Sequence, residues 1–289
     1  MELLPIFYRP EIVQHIKSFS PSASKAPAVL DSWAQLGIPT AIHSFAPVST
    51  DDLKLAHDPW YVDAVFNGSM LNGFRNKDVQ VADSCRYTVG AMYAAAEWAL
   101  RTGQVAIAPV SGFHHANYAD GYGFCTFNGL LITALMLKKQ QKIQRLGILD
   151  LDVHEGDGSA GIIERLSLAS WITHHSMGYA TATTPEHATA YLASLPTVIE
   201  QMQDCDLVLF QASADPHIDD PLGGFLTTAE LQLRDEIVFR TCQQLGLPLA
   251  WNLAGGYQRD AQQSIRPVLT LHDNTLRACA AVYLKRLEQ

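Results

Sequence analysis

The stretch Leu146-Gly147-Ile148-Leu149-Asp150-Leu151-Asp152-Val153-His154-Glu155-Gly156-Asp157-Gly158 runs from a short apolar segment into a cluster of ionisable side chains. Asp150, Asp152 and His154 are spaced i, i+2, i+4, and on a strand that spacing puts all three on one face. Ionised groups within a buried strand are costly unless paired or bound to metal. An Asp and a His two residues apart at a strand end suit a borderline cation such as zinc. A hydrogen-bonded polar cluster closing the strand end is the alternative.

Outward from this segment lie further apolar runs of strand length, each bounded by turn residues: Ile38–Ile42, Val105–Pro109, Ser170–Thr173, Leu207–Gln211 and Leu247–Leu253. The first run itself spans Leu146–Leu151. Helical stretches alternate with them at Tyr87–Arg101, Asn128–Gln141, Ala188–Gln203, Thr228–Gln244 and Arg266–Arg286. Buried strands alternating with helices predict an α/β domain with a mainly parallel sheet. Sites in such sheets gather at the carboxyl ends of the strands, and the polar clusters of this chain fall there.

The chain has 289 residues, 48% of them hydrophobic, which excludes a disordered tail protein and suits one large domain over residues 1–289. No apolar run approaches the ~20 residues of a spanning helix. The start, Met1-Glu2-Leu3-Leu4-Pro5, lacks the basic and apolar regions of a signal peptide. A net charge of −9 argues against a nucleic-acid partner. Five scattered cysteines without a CxxC pair read as free thiols, which makes the cytoplasm the expected location.

Four more clusters carry polar or glycine-rich chemistry. Ser213, Asp215, His217, Asp219 and Asp220 follow the run ending at Gln211. They contain the third protein ligand a catalytic zinc site needs, or else form an acidic turn. Ser111-Gly112-Phe113-His114-His115 follows another run, with Asp150 and Asp157 available to hold the two rings. Trp251-Asn252-Leu253-Ala254-Gly255-Gly256-Tyr257 leads a strand into a glycine turn, whose Tyr either packs over the turn or donates to an oxyanion. Gly121-Tyr122-Gly123-Phe124-Cys125 could wall a channel or pack in the core.

In order, His114-His115-Ala116, Gly123-Phe124-Cys125 with Asn128, Asp150-x-Asp152-x-His154-x-Gly156-Asp157, Asp220-Pro221-Leu222-Gly223-Gly224 and Gly255-Gly256-Tyr257 resemble the zinc-dependent histone deacetylase superfamily. The resemblance implies a three-layer α/β/α arginase–deacetylase fold. Phe19-Ser20-Pro21-Ser22-Ala23-Ser24-Lys25 and Arg234-Asp235-Glu236-Ile237-Val238-Phe239-Arg240 look like the class IV branch and its bacterial relatives. The family pattern implies that Asp152, His154 and Asp220 bind Zn2+, with Asp215 or Asp219 as alternative third ligands. It implies His115 as general base and later acid, His114 as its electrostatic neighbour, and Asp150 and Asp157 as the orienting carboxylates. Tyr257 would polarise the acyl carbonyl, and Gly123 and Phe124 would line the substrate channel. A structural K+ would sit at Asp150, Asp152 and His154, with Thr173 and His174 completing it.

The implied activity is a zinc-dependent deacylase acting on an acylated amine such as acyl-lysine, with longer acyl chains also accepted. An acetylpolyamine or small-metabolite deacetylase, a two-metal ureohydrolase and an inactive acyl-lysine-binding module are the other readings. The chain departs from the family pattern at Glu155, Gly129 and Ala254, and its His175–Tyr191 segment is short, leaving Tyr179 as the proposed second channel aromatic.

Overall fold

The computed structural model describes residues 1–13, 20–21, 24–180 and 184–284. Seven strands form one sheet among the described residues: β1 (Leu4–Phe7), β2 (Thr40–His43), β3 (Val105–Ala108), β4 (Leu146–Asp150), β5 (Ile172–Ser176), β6 (Leu207–Gln211) and β7 (Leu249–Asn252). Their spatial order is β2-β1-β3-β7-β6-β4-β5, and every pairing is parallel.

Alternation along the strands makes the layers. Ile107, Leu149, Phe210 and Trp251 point into one core, and Ala106, Ile148, Leu209 and Ala250 into the other. The first core is covered by α1 (Lys25–Ala34), α8 (Ala188–Glu200), α9 (Thr228–Gln244) and α10 (Arg266–Tyr283). The second is covered by α3 (Pro59–Phe66), α4 (Val79–Thr102), α5 (Gly129–Lys139) and α6 (Asp157–Arg165). Short helices α2 (Thr50–Leu53) and α7 (Met177–Ala180) complete the series. The result is the three-layer α/β/α arrangement expected from the sequence. No helix among the described residues is long and apolar enough to cross a membrane.

Two strands differ from the sequence reading. Leu4–Phe7 is a fully buried strand, although Pro5 argues against a central position. The neighbours β2 and β3 cover it on both sides. Strand β5 runs to Ser176, because His174 and His175 interrupt the apolar pattern but not the ladder.

The connections that carry polar residues are held by a buried imidazole. Nε2 of His57 accepts from the Asn128 N–H at 2.8 Å, and Nδ1 faces the Asn117 carbonyl at 2.8 Å. That carbonyl can only accept, so Nδ1 carries the proton. Burial pushes the ring down to about 4, which keeps it neutral. The Asn128 side chain in turn accepts from the Leu131 N–H at the start of α5.

Replacing His57 with Leu would strand both buried backbone groups, so we expect a loss of about 1–3 kcal/mol in chemical denaturation at pH 7. The unfolded ring binds a proton below its ordinary 6.5 while the folded ring resists until about 4. Wild-type stability therefore falls as pH drops through that window, and the His57→Leu protein should show a shallower slope there.

Candidate active site

Four strands deliver the site. Beyond β3 come His114 and His115; beyond β4, Asp152 and His154; beyond β6, Asp215; beyond β7, Gly255 and Tyr257. Because β3, β7, β6 and β4 are adjacent, these loops meet at one carboxyl edge.

Asp152, His154 and Asp215 form a compact donor group, with one ligand atom from each lying within 4.8 Å of the others. His154 Nδ1 is 2.9 Å from Asp152 Oδ1 and 3.2 Å from Asp215 Oδ2. On the far side of the ring, Nε2 faces the Leu222 carbonyl at 3.2 Å. An accepting carbonyl there fixes the proton on Nε2 and turns the Nδ1 lone pair towards the carboxylates. Asp215 Oδ2 is buried and makes no hydrogen bond, which leaves it for a cation. The facing carboxylates of Asp152 and Asp215 hold the His154 ring up at about 11, the behaviour of a place that favours positive charge. The donors, one imidazole nitrogen and two carboxylates, suit zinc.

The third carboxylate is thus Asp215 and not Asp220. Asp220 accepts the N–H groups of Leu222 at 3.0 Å and Tyr257 at 2.8 Å, so its two oxygens close two turns instead of facing His154. Burial pushes it up to about 7. The Asp219 side chain is 78% exposed and turned to solvent.

Beside the donor group stand the paired histidines, with ring centroids 4.1 Å apart. His114 Nδ1 is 2.8 Å from Asp150, and His115 Nδ1 is 2.8 Å from Asp157. The two environments push the rings in opposite directions. Burial alone would lower His114, but the charges of Asp150 and Asp152 carry it up to about 9. Burial and the neighbouring His114 together hold His115 below the ordinary imidazole value. Near neutral pH one ring is therefore a cation and the other a free base.

Glycine is required at two points around these groups. A Cβ at Gly255 would lie 2.2 Å from Asp215 Oδ2, and one at Gly123 would lie 2.5 Å from the His115 ring. Gly123 also adopts φ +55°, a region that favours glycine. Phe124 packs near Tyr257, with ring centroids 6.0 Å apart. Behind it, Phe74, Val81, Phe113 and Cys125 line an apolar cavity of about 50 Å3.

Thr173 and His174 do not stand opposite Asp150 in the ladder, although the His174 ring feels the Asp150 charge. They stand in register with Gly147 and Ile148, and the residue opposite Asp150 is Ser176. The Ser176 hydroxyl accepts from the Gly156 N–H at 2.9 Å. The Tyr179 side chain lies outside the described residues, as do residues 181–183 of the short segment.

Sequence reasoning also left two buried cations without a role. Lys25 donates to the carbonyls of Ala254 and Gly255, the latter at 2.8 Å, and so braces the turn that carries Tyr257. Burial pushes it down to about 7, against the pull of Asp215, Asp152 and Asp220. Arg234 on α9 donates to the carbonyls of Ser213 and Leu151. Both belong to the two segments that look like the class IV branch, a resemblance that assigned neither a role.

Known proteins share both the sequence and the architecture. An uncharacterised protein of Picosynechococcus sp. is 29% identical over 80% of this chain and 82% of its own length. A protein of Methanothermobacter thermautotrophicus named "Probable deacetylase" is 27% identical over 73% of this chain and 72% of its own. The crystal structure of the HDA15 HD domain superposes with a TM-score of 0.77 at 17% identity, covering 99% of this chain and 92% of that one. The family model for the histone deacetylase domain matches residues 20–181, which takes in the paired histidines and the Asp150–Asp157 segment. With more than half of its length matched in this way, the chain belongs to the histone deacetylase family.

Proposed function

We propose that the protein is a zinc-dependent deacylase that hydrolyses the amide of an acylated amine such as acetyl-lysine. The observation that carries this reading is the convergence of the Asp152–His154–Asp215 donor group with two histidines of opposite charge preference. The deacetylase name of the Methanothermobacter relative supports the same activity.

Zinc held by Asp152, His154 and Asp215 would supply Lewis acidity to the acyl carbonyl and to the attacking water. His115, neutral near pH 7, takes the proton from that water through Nε2, while its Nδ1 stays tied to Asp157. The same nitrogen then returns the proton to the leaving amine. His114 stays protonated between Asp150 and Asp152 and offsets the negative charge that develops nearby. Tyr257, brought forward by the glycine turn, donates its phenol to the oxyanion. Phe124 lines the approach of the acyl side.

The cavity behind Phe124 is far below the roughly 150 Å3 that holds a benzene-sized guest. That cavity as it stands does not hold a long acyl chain. The two-metal ureohydrolase reading is weaker, because the paired histidines already have their Nδ1 atoms committed to Asp150 and Asp157.

Metal analysis should find about one zinc per chain, strongly reduced in Asp215→Ala and kept in Asp220→Asn. The reverse pattern would restore Asp220 as the ligand. On an acetyl-lysine peptide, His115→Ala should lose turnover yet keep its zinc. Because the base must be neutral, wild-type kcat/KM should fall as pH drops, with its acidic half-point below 6.5. Tyr257→Phe should lower kcat by about 10²–10³-fold with little change in KM; unchanged kcat would remove the phenol from the mechanism.

A further inference from the structure

Ser213 is fully buried beside the donor group. Its hydroxyl oxygen lies 2.7 Å from Asp152 Oδ2 and 2.6 Å from Asp215 Oδ1. Those are the outer oxygens of the two carboxylates. The inner oxygens, Asp152 Oδ1 and Asp215 Oδ2, are the ones that face His154 Nδ1, at 2.9 and 3.2 Å. One hydroxyl thus touches one oxygen of each acid and leaves the other oxygen of each aimed at a common point.

The backbone of Ser213 is fixed as firmly as its side chain. Nη1 of Arg234 donates to the Ser213 carbonyl at 2.8 Å and to the Leu151 carbonyl at 3.2 Å. Leu151 immediately precedes Asp152, and Ser213 precedes Asp215 by two residues, so one guanidinium nitrogen ties together the two loops that carry the acids. Arg234 is itself held by Asp235, which accepts from Nε at 2.9 Å and Nη2 at 2.7 Å. The other oxygen of Asp235 accepts from Thr275 on α10 at 2.6 Å.

We propose that Ser213 is a positioning residue of the metal site: its single hydroxyl proton is shared between the outer oxygens of Asp152 and Asp215, so that their inner oxygens converge with His154 Nδ1 on one ion. Backbone N–H groups also hold each acid, Val153 to Asp215 Oδ1 at 3.2 Å and His154 to Asp152 Oδ1 at 3.0 Å, but the Ser213 hydroxyl is the group that touches the outer oxygens of both acids. The tether holds them in the orientation that binding requires, and the Arg234 anchor keeps the tether in place. This inference rests on the metal-binding reading of the site.

The test is cobalt(II) affinity, measured by competition with a chromophoric chelator, and the visible spectrum of the bound ion. Ser213→Ala should bind cobalt about 10–100-fold more weakly than wild type, with an altered spectrum. Ser159→Ala, which loses a buried hydroxyl that bonds Asn128 and touches neither Asp152 nor Asp215, should match wild type in both. Arg234→Lys keeps a charge beside Asp235 but cannot hold both carbonyls and the acid at once; it should also weaken cobalt binding, and it decides the matter if Ser213→Ala does not fold. Wild-type affinity and spectrum in Ser213→Ala, or wild-type affinity in Arg234→Lys where only that variant folds, would overturn the proposal. A wild-type protein that takes up no cobalt would overturn the metal reading and this inference with it.

Discussion

Buried negative charge is the constraint that organises this protein. Asp150, Asp152, Asp215 and Asp235 are all at most 2% exposed, and all sit on one side of the sheet or just behind it. An uncompensated carboxylate in such surroundings is costly, and breaking a buried pair by removing one partner typically costs about 3–5 kcal/mol. Each acid therefore has a cationic or hydrogen-bonding partner. Asp150 has His114, Asp235 has Arg234 and Thr275, and Lys25 lies within electrostatic reach of Asp152 and Asp215. Asp215 still keeps one oxygen without a hydrogen bond. The same constraint that shapes the interior thus leaves a cation-seeking point at the sheet edge.

The paired histidines show how small differences in surroundings separate two chemically identical groups. Both rings give Nδ1 to a carboxylate at 2.8 Å. Asp150 is wholly buried, while the Asp157 side chain is 35% exposed at the start of α6. Water screens the second pair and not the first. His114 also lies 3.8 Å from Asp152, which adds to its positive preference and, through repulsion, lowers its neighbour. The division into a resident cation and a free base follows from which carboxylates each ring meets and how well water screens them.

Support for the site comes from behind the sheet as well as from the loops around it. Arg234 reaches from α9 to two strand ends, and Lys25 reaches from α1 to the glycine turn. Both cations use carbonyl oxygens at the carboxyl ends of parallel strands, where the ladder no longer supplies N–H partners. Asp220 works the same way from the front, closing the Leu222 and Tyr257 turns with its two oxygens. The positions of Tyr257 and of the Leu222 carbonyl that orients His154 are therefore linked through one carboxylate.

By itself, the sequence determined what depends on short spacing. Apolar runs of strand length bounded by turn residues specified β3, β4, β6 and β7, and the i, i+2, i+4 pattern placed Asp150, Asp152 and His154 together, because strand geometry is local. The paired histidines and their two carboxylates were legible for the same reason: each lies on a short motif of distinctive chemistry. Tertiary structure alone decided between Asp215 and Asp220, since both leave β6 on one loop and only its path shows which acid is spent on backbone N–H groups. It also decided that Ser176 is the ladder partner of Asp150, with Thr173 and His174 opposite Gly147 and Ile148, because register is set by pairing between strands and not within one. The buried roles of Lys25, Ser213 and Arg234 belong to the same class: each depends on a partner tens to hundreds of residues away, Gly255, Asp152 and Leu151 respectively, where spacing carries no information about contact.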